Sequence, residues 1–467
     1  TAVYSSNGLI LDVTEPTVSI TQEDGTPFDP DTYYKDDVSY KVTVTDGNVT
    51  SGLERVEIRL FDGEDEIKEE YREVQIDENY VDSSSSEGYT LTEIADELSS
   101  YTIEGTISKK YDSNNLRLVV TAYDQAWDKE RPKENCLTEE QNIKIDSTAP
   151  IITVSYNNDT DVKNNKYFNS DRVMTLEYNE RNFDVNGITF DLKAAADLDS
   201  VALEEDVTLD ALSDYGIKVG EEIEDNQSDR TWETYDNDRV NTLTLTFEKD
   251  NEYYIVPHCA DKARNEADPE EVKYIIDENV DEETAETIKN EFVIDKTAPE
   301  ISVSYTDGAE FTPLTYQPAE GEGVYRTKAV RATVTIDEKN FWLENENGEK
   351  EFNNQWNFDG TNGVNAKNEN VDAVKSQDYL TTASENISSN WGSANEIRTN
   401  SEFLFLTDAN YTFTFTYTDL AGNEAVYDPN YFTVDQTNPT GTINLDGDGE
   451  DAPDIPVWLE SFLDVIS

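Results

Sequence analysis

A proline-bearing linker, DxTxP, recurs four times in this chain: Asp12 opens DVTEP, Asp146 opens DSTAP, Asp295 opens DKTAP and Asp435 opens DQTNP. Proline fixes its own φ and has no N–H to give a sheet ladder, so it marks where a strand begins. The residues that follow alternate. Val18 and Ile20, Ile152 and Val154, and Ile301 and Val303 fall two apart with Ser or Thr between them, the period of a half-buried strand. The copies lie 134, 149 and 140 residues apart, which is the spacing of whole domains rather than of solenoid turns. The chain therefore divides at 1–145, 146–294 and 295–434, with 435–467 as the truncated start of a fourth module.

Charge narrows the function classes. Asp and Glu number 102 against 35 Lys and Arg, a net charge of −67, which repels nucleic acid and anionic membranes alike. Such a surface suits a soluble extracellular protein, secreted or anchored to a cell wall by segments outside this sequence, and it also suits a protein that binds divalent cations. Cys136 and Cys259 fall in different repeats, so no disulfide framework is implied. His258 is the one histidine and is expected to point outward and alone, which removes His-based zinc sites and most acyl-transfer triads. No apolar run approaches a membrane span. Without a nucleophile elbow, phosphate loop or His constellation, the chain is expected not to be an enzyme.

Alternating segments separated by Gly, Asn, Asp and Ser predict seven strands in repeat one: Thr17–Thr21, Val38–Thr45, Leu53–Phe61, Ile67–Ile76, Tyr101–Ser108, Leu116–Tyr123 and Gln141–Ile145. Repeat two carries Ile151–Tyr156, Arg172–Tyr178, Thr242–Phe247, Glu252–Ala260 and Val272–Ile276. Repeat three carries Ile301–Tyr305, Ala329–Ile336, Glu402–Leu406, Tyr411–Thr418 and Tyr431–Val434. Helical spacing predicts short helices at Leu91–Ser100 and Leu192–Ala196, a helix-bearing insertion just before Asp295, and an amphipathic helix near Val457–Val465. Two insertions stand out, an acidic excursion over Leu192–Asp229 and an Asn/Ser-rich stretch over Phe352–Ser401, the latter read as a long loop or irregular strands. The acidic runs Asn157–Asp161 and Asp446–Asp451 lack the glutamate of a calcium-loop motif and read as solvated loops.

The strand YTFTFTYTD sets Tyr411, Phe413, Phe415 and Tyr417 on one face; its counterparts are Leu116, Leu118, Val120 and Ala122, and Tyr253, Ile255, Pro257 and Cys259. Two further motifs repeat: a turn after the second strand, ERNF at Glu180 and EKNF at Glu338 with DGNVTSG at Asp46, and a turn after the penultimate strand, DQAWDKE at Asp124, DKARNE at Asp261 and DLAGNE at Asp419. Together these motifs resemble the bacterial immunoglobulin-like modules of large tandem-repeat surface proteins and adhesins, over nearly the whole chain. The resemblance implies an all-β fold of tandem antiparallel immunoglobulin-like sandwiches with helix-bearing insertions, strung as an elongated rod, and it allows a tyrosine corner at Tyr253 and Tyr411. Such modules serve as stalks, spacers and binding domains, so the family leaves function open.

In a sandwich of this kind the incoming linker, the turn after the second strand and the turn after the penultimate strand meet at one pole. That brings together Asp12, Asp46 and Asp124; Asp146, Glu180 and Asp261; and Asp295, Glu338 and Asp419. Three carboxylates with backbone carbonyls and Asn265 or Asn423 supply the oxygen ligands that Ca²⁺ prefers, and junctional Ca²⁺ is the one cofactor expected. Acidic turn residues also commonly cap their own backbone, and that reading stays open beside it. The leading expectation is an adhesin-like fragment, monomeric, that binds a host glycoprotein such as mucin, a matrix protein or secreted immunoglobulin; Trp232, Trp356 and Trp391 in or beside the insertions are the candidate anchors. A pure stalk and a carbohydrate-binding module are the alternatives.

Overall fold

The computed structural model describes residues 12–47, 52–76, 89–93, 99–126, 135–220, 224–225 and 240–307, and much of 312–441. In repeat one, Thr17–Gln22, Val38–Asp46, Ser99–Ile107 and Tyr89–Glu93 form one sheet in that order. The facing sheet runs Tyr33–Tyr34, Cys136–Ile145, Ser113–Asp124, Leu53–Asp62 and Asp65–Glu66, with Arg72–Gln75 also paired to Leu53–Asp62. First, second and fifth-type strands on one side, and third, sixth and seventh on the other, is the partition of an immunoglobulin-like sandwich. Side-chain alternation drives it. Val38, Tyr40, Val42 and Val44 from one sheet face Leu116, Leu118, Val120 and Ala122 from the other, all buried in one apolar cluster.

Repeat two follows the same plan. Ile151–Tyr156, Arg172–Asn179 and Val240–Phe247 make one sheet, and Glu291–Ile294, Asn251–Cys259, Ile188–Ala195 and Glu204–Thr208 the other. In repeat three Val330–Glu338 pairs with Glu300–Asp307 on one side and Gly392–Phe405 on the other, while Val324–Arg326, Phe432–Val434 and Ala409–Tyr411 share a second sheet. Each repeat encloses its own apolar cluster. By backbone proximity, residues up to Thr297 with Ser388–Ala394 and Leu420–Asn423 form one compact unit, and the remaining residues form a second. The chain is a set of all-β, immunoglobulin-like sandwiches.

Several expectations need correction. The helix expected at Leu192–Ala196 is instead the end of strand Ile188–Ala195, because Ile188, Phe190 and Leu192 alternate into the core and Leu192 pairs with Ile255. At Leu91–Ser100, both ends are strand, Tyr89–Glu93 and Ser99–Ile107, with Leu91 opposite Ile103. The acidic excursion is structured over most of its described length: Glu204–Thr208 pairs with Ile188–Ala195, and Ile217–Val219 pairs with Val240–Phe247. Part of Ile67–Ile76 is a 3₁₀ turn, Lys68–Glu70, before strand Arg72–Gln75. The described residues of Tyr411–Thr418 are strand, Tyr411 pairing with Phe432 and Thr414–Thr418 with Glu424–Tyr427, while 412–413 lie outside the described residues. The helix in the insertion before Asp295 is present as Glu282–Ile288, capped by the Asp281 side chain. The Asn/Ser-rich stretch contains short strands such as Trp356–Asp359 and Gly363–Val364. The segments near Val457–Val465 and Asp446–Asp451 lie outside the described residues.

The NNDTD run is no solvated loop, because Asp159 is 5% exposed and accepts from Nη2 of Arg172 at 2.9 Å. Arg172 is wholly buried, with its guanidinium 3.8 Å from the Tyr156 ring centre and its Nη2 also donating to the Ile288 carbonyl at 3.3 Å. Arg172 thus ties the Glu282–Ile288 insertion to the sandwich through its bond to the Ile288 carbonyl. Neither is His258 alone: its Nε2 lies 3.1 Å from Asp191 Oδ2 across the sheet. Cys259 is buried in the repeat-two core, as its register demands.

The tyrosine corner is present in repeats two and three. The Tyr253 hydroxyl donates to the Lys249 carbonyl at 3.1 Å, and that of Tyr411 to the Thr407 carbonyl at 2.8 Å, each four residues upstream. Replacing Tyr253 by Phe removes this part-buried bond, so repeat two should lose about 1 kcal/mol. Urea unfolding followed by tyrosine fluorescence reads the loss as a lower midpoint; an unchanged midpoint would show that the corner carries no stability.

Candidate junction clusters

The DxTxP linker is gripped from both sides. Its Asp N–H continues the sheet of the preceding repeat: Asp146 donates to the Tyr34 carbonyl at 2.9 Å, Asp295 to Phe168 at 2.9 Å and Asp435 to Arg326 at 2.8 Å. The two residues after the Asp are clipped to a second aspartate of the same preceding repeat. Asp112 accepts from Ser147 N at 3.1 Å and Thr148 Oγ1 at 2.6 Å. Asp250 accepts from Lys296 N at 3.2 Å and from Thr297 Oγ1, and Asp408 from Gln436 N at 2.8 Å and from Thr437 Oγ1. The recurring threonine of the linker is therefore a ligand of the repeat behind it. Meanwhile the linker Asp carboxylate caps its own turn, accepting from Thr148 N at 3.3 Å in the case of Asp146.

That carboxylate then meets two more from the repeat ahead. Asp146, Glu180 and Asp261 each place an oxygen within 4.8 Å of the others, and so do Asp12, Asp46 and Asp124. Local geometry explains the meeting. Glu180 follows strand Arg172–Asn179 directly, Asp261 lies just past Asn251–Cys259, and Asp146 directly follows strand Cys136–Ile145, so three chain segments deliver one acid each to a single pole. Of the third set, Asp295 belongs to the first compact unit and Glu338 and Asp419 to the second. All three are buried, and Glu338 and Asp419 have oxygens within 4.8 Å of each other.

The turns hold these acids by backbone donors. Glu180 Oε1 accepts from Asn182 N at 2.6 Å, and Glu338 Oε1 from Lys339 N and Asn340 N at 2.7 Å each. Asp46 accepts from Gly47 N at 3.0 Å and Gly52 N at 2.9 Å. An asparagine side chain closes each cluster. Asn265 Nδ2 bridges the Asp261 carboxylate and the Asp146 carbonyl, both at 2.8 Å, while Asn423 Nδ2 reaches the Asp295 carbonyl at 2.9 Å within the first compact unit. In repeat one Asn135 takes the role, donating to Asp124 Oδ2 at 2.8 Å and the Asp12 carbonyl at 3.3 Å. Asn135 is hidden in sequence because it stands eleven residues after its aspartate rather than four. The penultimate turn also needs a left-handed residue: Gly422 supplies it at φ 91°, and Arg264 occupies the corresponding place at φ 67°.

Burial dominates the electrostatics. Asp146, Glu180 and Asp261 are at most 1% exposed. Burial, with Asp146 and Asp261 nearby, pushes the Glu180 carboxyl up to about 8, and burial also raises Asp146, Asp261 and Asp124. A cation is already close by on one side, since Arg181 Nη2 is 3.1 Å from Asp146 Oδ1. Of the tryptophans expected as anchors, Trp356 is half-buried and stacked on Phe415 of the repeat-three core at 5.6 Å, whereas Trp232 and Trp391 lie outside the described residues.

Fold and junctions together define a tandem immunoglobulin-like β-sandwich protein. Among solved structures, a marsupial T cell receptor aligns over 89% of this chain and 99% of its own at 8% identity, with a TM-score of 0.29. A second aligns over 53% and 92% at 7% identity, with a TM-score of 0.22. Neither a protein-family model nor a curated protein matches the sequence.

Glu180 also fixes the sign of a pH effect. Its carboxyl is held to about 8 in the folded chain against an ordinary 4.5, so between these values the folded state keeps a proton that the unfolded state releases. Stability contributed by the neutral form is complete below about 4.5 and is lost as pH rises through about 8. In EDTA, the repeat-two melting transition should therefore fall between pH 5 and pH 9. A transition that climbs over that range would contradict the assignment.

Proposed function

We propose that this chain is a segment of an extracellular bacterial surface protein whose immunoglobulin-like repeats act as a stalk, with divalent cations, Ca²⁺ by ligand chemistry, bracing the junction clusters. The observation that carries this reading is the pair of three-acid clusters, Asp12, Asp46 and Asp124 and then Asp146, Glu180 and Asp261, each drawn from a linker and two turns. Three carboxylates in a water-poor site repel one another unless they are protonated or share a cation. Ca²⁺ accepts six to eight oxygens in flexible geometry, which the carboxylates and the nearby backbone carbonyls suit better than the strict octahedron of Mg²⁺. Asn135 and Asn265 donate to the carboxylates through Nδ2, so they orient ligands instead of acting as ligands through that atom.

Burial supports a structural role over catalysis in repeat two, since Asp146, Glu180 and Asp261, exposed by 1% or less, offer a substrate no approach. The likeness to bacterial surface modules rests on the DxTxP linker and the two turn motifs. A stalk is favoured over the adhesin reading because the one described tryptophan anchor, Trp356, is packed against core. Protein–cation linkage gives the test. With Ca²⁺ a hundredfold above its Kd, each site adds about 2.7 kcal/mol to its repeat. The melting transitions of the full chain should rise in millimolar Ca²⁺ relative to EDTA, with Mg²⁺ weaker, and Glu180→Gln should abolish the repeat-two share alone. Identical melting curves in Ca²⁺ and EDTA, with no heat on Ca²⁺ titration, would sink the cation reading.

A further inference from the structure

The junction between repeats one and two contains a charge that the clusters themselves do not require. Arg181 directly follows Glu180, and its side chain is 1% exposed. Nη2 lies 3.1 Å from Asp146 Oδ1 and 3.3 Å from the Ile145 carbonyl, and it bonds Asp112 Oδ1 in the turn between Ser99–Ile107 and Ser113–Asp124 of repeat one. Its neighbour Asn182 exchanges amides with Asn114, at the start of strand Ser113–Asp124, at 2.6 Å and 3.1 Å, and also donates to Asp146 Oδ2. Two consecutive residues of repeat two thus grip two residues of repeat one while both touch the shared Asp146. Asp112, in turn, holds Ser147 and Thr148 of the linker.

We propose that Arg181 is a positioning residue with a built-in positive charge, shared between Asp146 and Asp112, and that a divalent ion entering the Asp146, Glu180 and Asp261 cluster shifts it onto Asp112, tightening the latch between the repeats. The inference rests on the cation reading above and adds its regulation. Coulomb repulsion in a buried site is strong, so a guanidinium and a divalent ion compete for one carboxylate. Asp112 decides the outcome because it is the partner Arg181 keeps when Asp146 turns to the ion. Gly47 and Lys339 occupy the corresponding positions after Asp46 and Glu338, so the repeat-one cluster has no such charge in its turn.

The two partners of the latch should then move ion affinity in opposite directions although neither is a ligand. Calorimetric Ca²⁺ titration of the full chain is made on an Asp46→Asn, Glu338→Gln background, which silences the other two sets of acids. Asp112→Asn leaves Arg181 on Asp146 and should weaken the remaining site about tenfold, within the usual range of coupling between sites. Arg181→Met should strengthen it by a similar factor, and Arg181→Lys should return it toward the parent value. Spin labels on Glu139→Cys and Glu205→Cys, with Cys136→Ser, report the inter-repeat distance; Ca²⁺ should narrow its distribution in the parent and fail to do so in Asp112→Asn and Arg181→Met. Circular dichroism and the thermal transition confirm folding of each variant, and Arg181→Gln, which also removes the charge, serves if Arg181→Met does not fold. Unchanged affinity in Asp112→Asn, or shifts of the same sign in Asp112→Asn and Arg181→Met, would overturn the latch while leaving the cation reading intact. A parent chain that takes up no Ca²⁺ would overturn both.

Discussion

The linker aspartate is held by two repeats at once, and the rest of the junction depends on that division. Its N–H is committed to the sheet behind it, and the threonine two residues on is committed to an aspartate of that same repeat. Its carboxylate turns forward to the next repeat's turns, as Asp146 does toward Glu180 and Asp261. Between repeats one and two, a backbone fixed at both ends leaves little torsional freedom, and the proline that follows removes more. The sequence requirement D-x-T-x-P is thus a set of separate contacts: Asp for two directions, Thr for the clip, Pro for the strand start.

Burial of like charge is the other constraint. A chain with a net charge of −67 has abundant surface for its carboxylates, yet it places acids in the interior at equivalent points of successive repeats. Backbone donors in the turns and an asparagine in each cluster offset part of the desolvation, as the Glu180 and Asp261 bonds show. They do not cancel it, and burial, with Asp146 and Asp261 nearby, pushes Glu180 to about 8. Such a site is stable with a proton or with a cation, and only the second leaves all three acids ionised near neutral pH.

How much of this was legible in the sequence depended on the range of each signal. Strand Ile151–Tyr156 and its partners could be read because period-two alternation is local, and the acid sets could be assembled because three recurring motifs fall at one pole of a sandwich. Leu192 misled because Leu192, Ala195 and Ala196 fit helical spacing, whereas tertiary pairing with Ile255 fixed the strand. Asp112, Asp250 and Asp408 were invisible as clips, since their partners lie 28 to 47 residues onward and nothing local distinguishes them from other turn aspartates. Asn135 was lost to an enlarged loop. Asp159, within a run that reads as solvated, is buried only because Arg172 arrives from another strand.

Repeats built on one scaffold are interchangeable in fold but not at their joints. The residue after the second-strand acid is Gly47, Arg181 or Lys339, a position the core does not constrain and the junction does. With glycine there the turn adds no charge of its own. With arginine, the same turn reaches Asp112 and Asp146 together and couples two sandwiches through one guanidinium. Coupling between repeats one and two therefore turns on a single residue after the second-strand acid, one that belongs to neither repeat's apolar cluster.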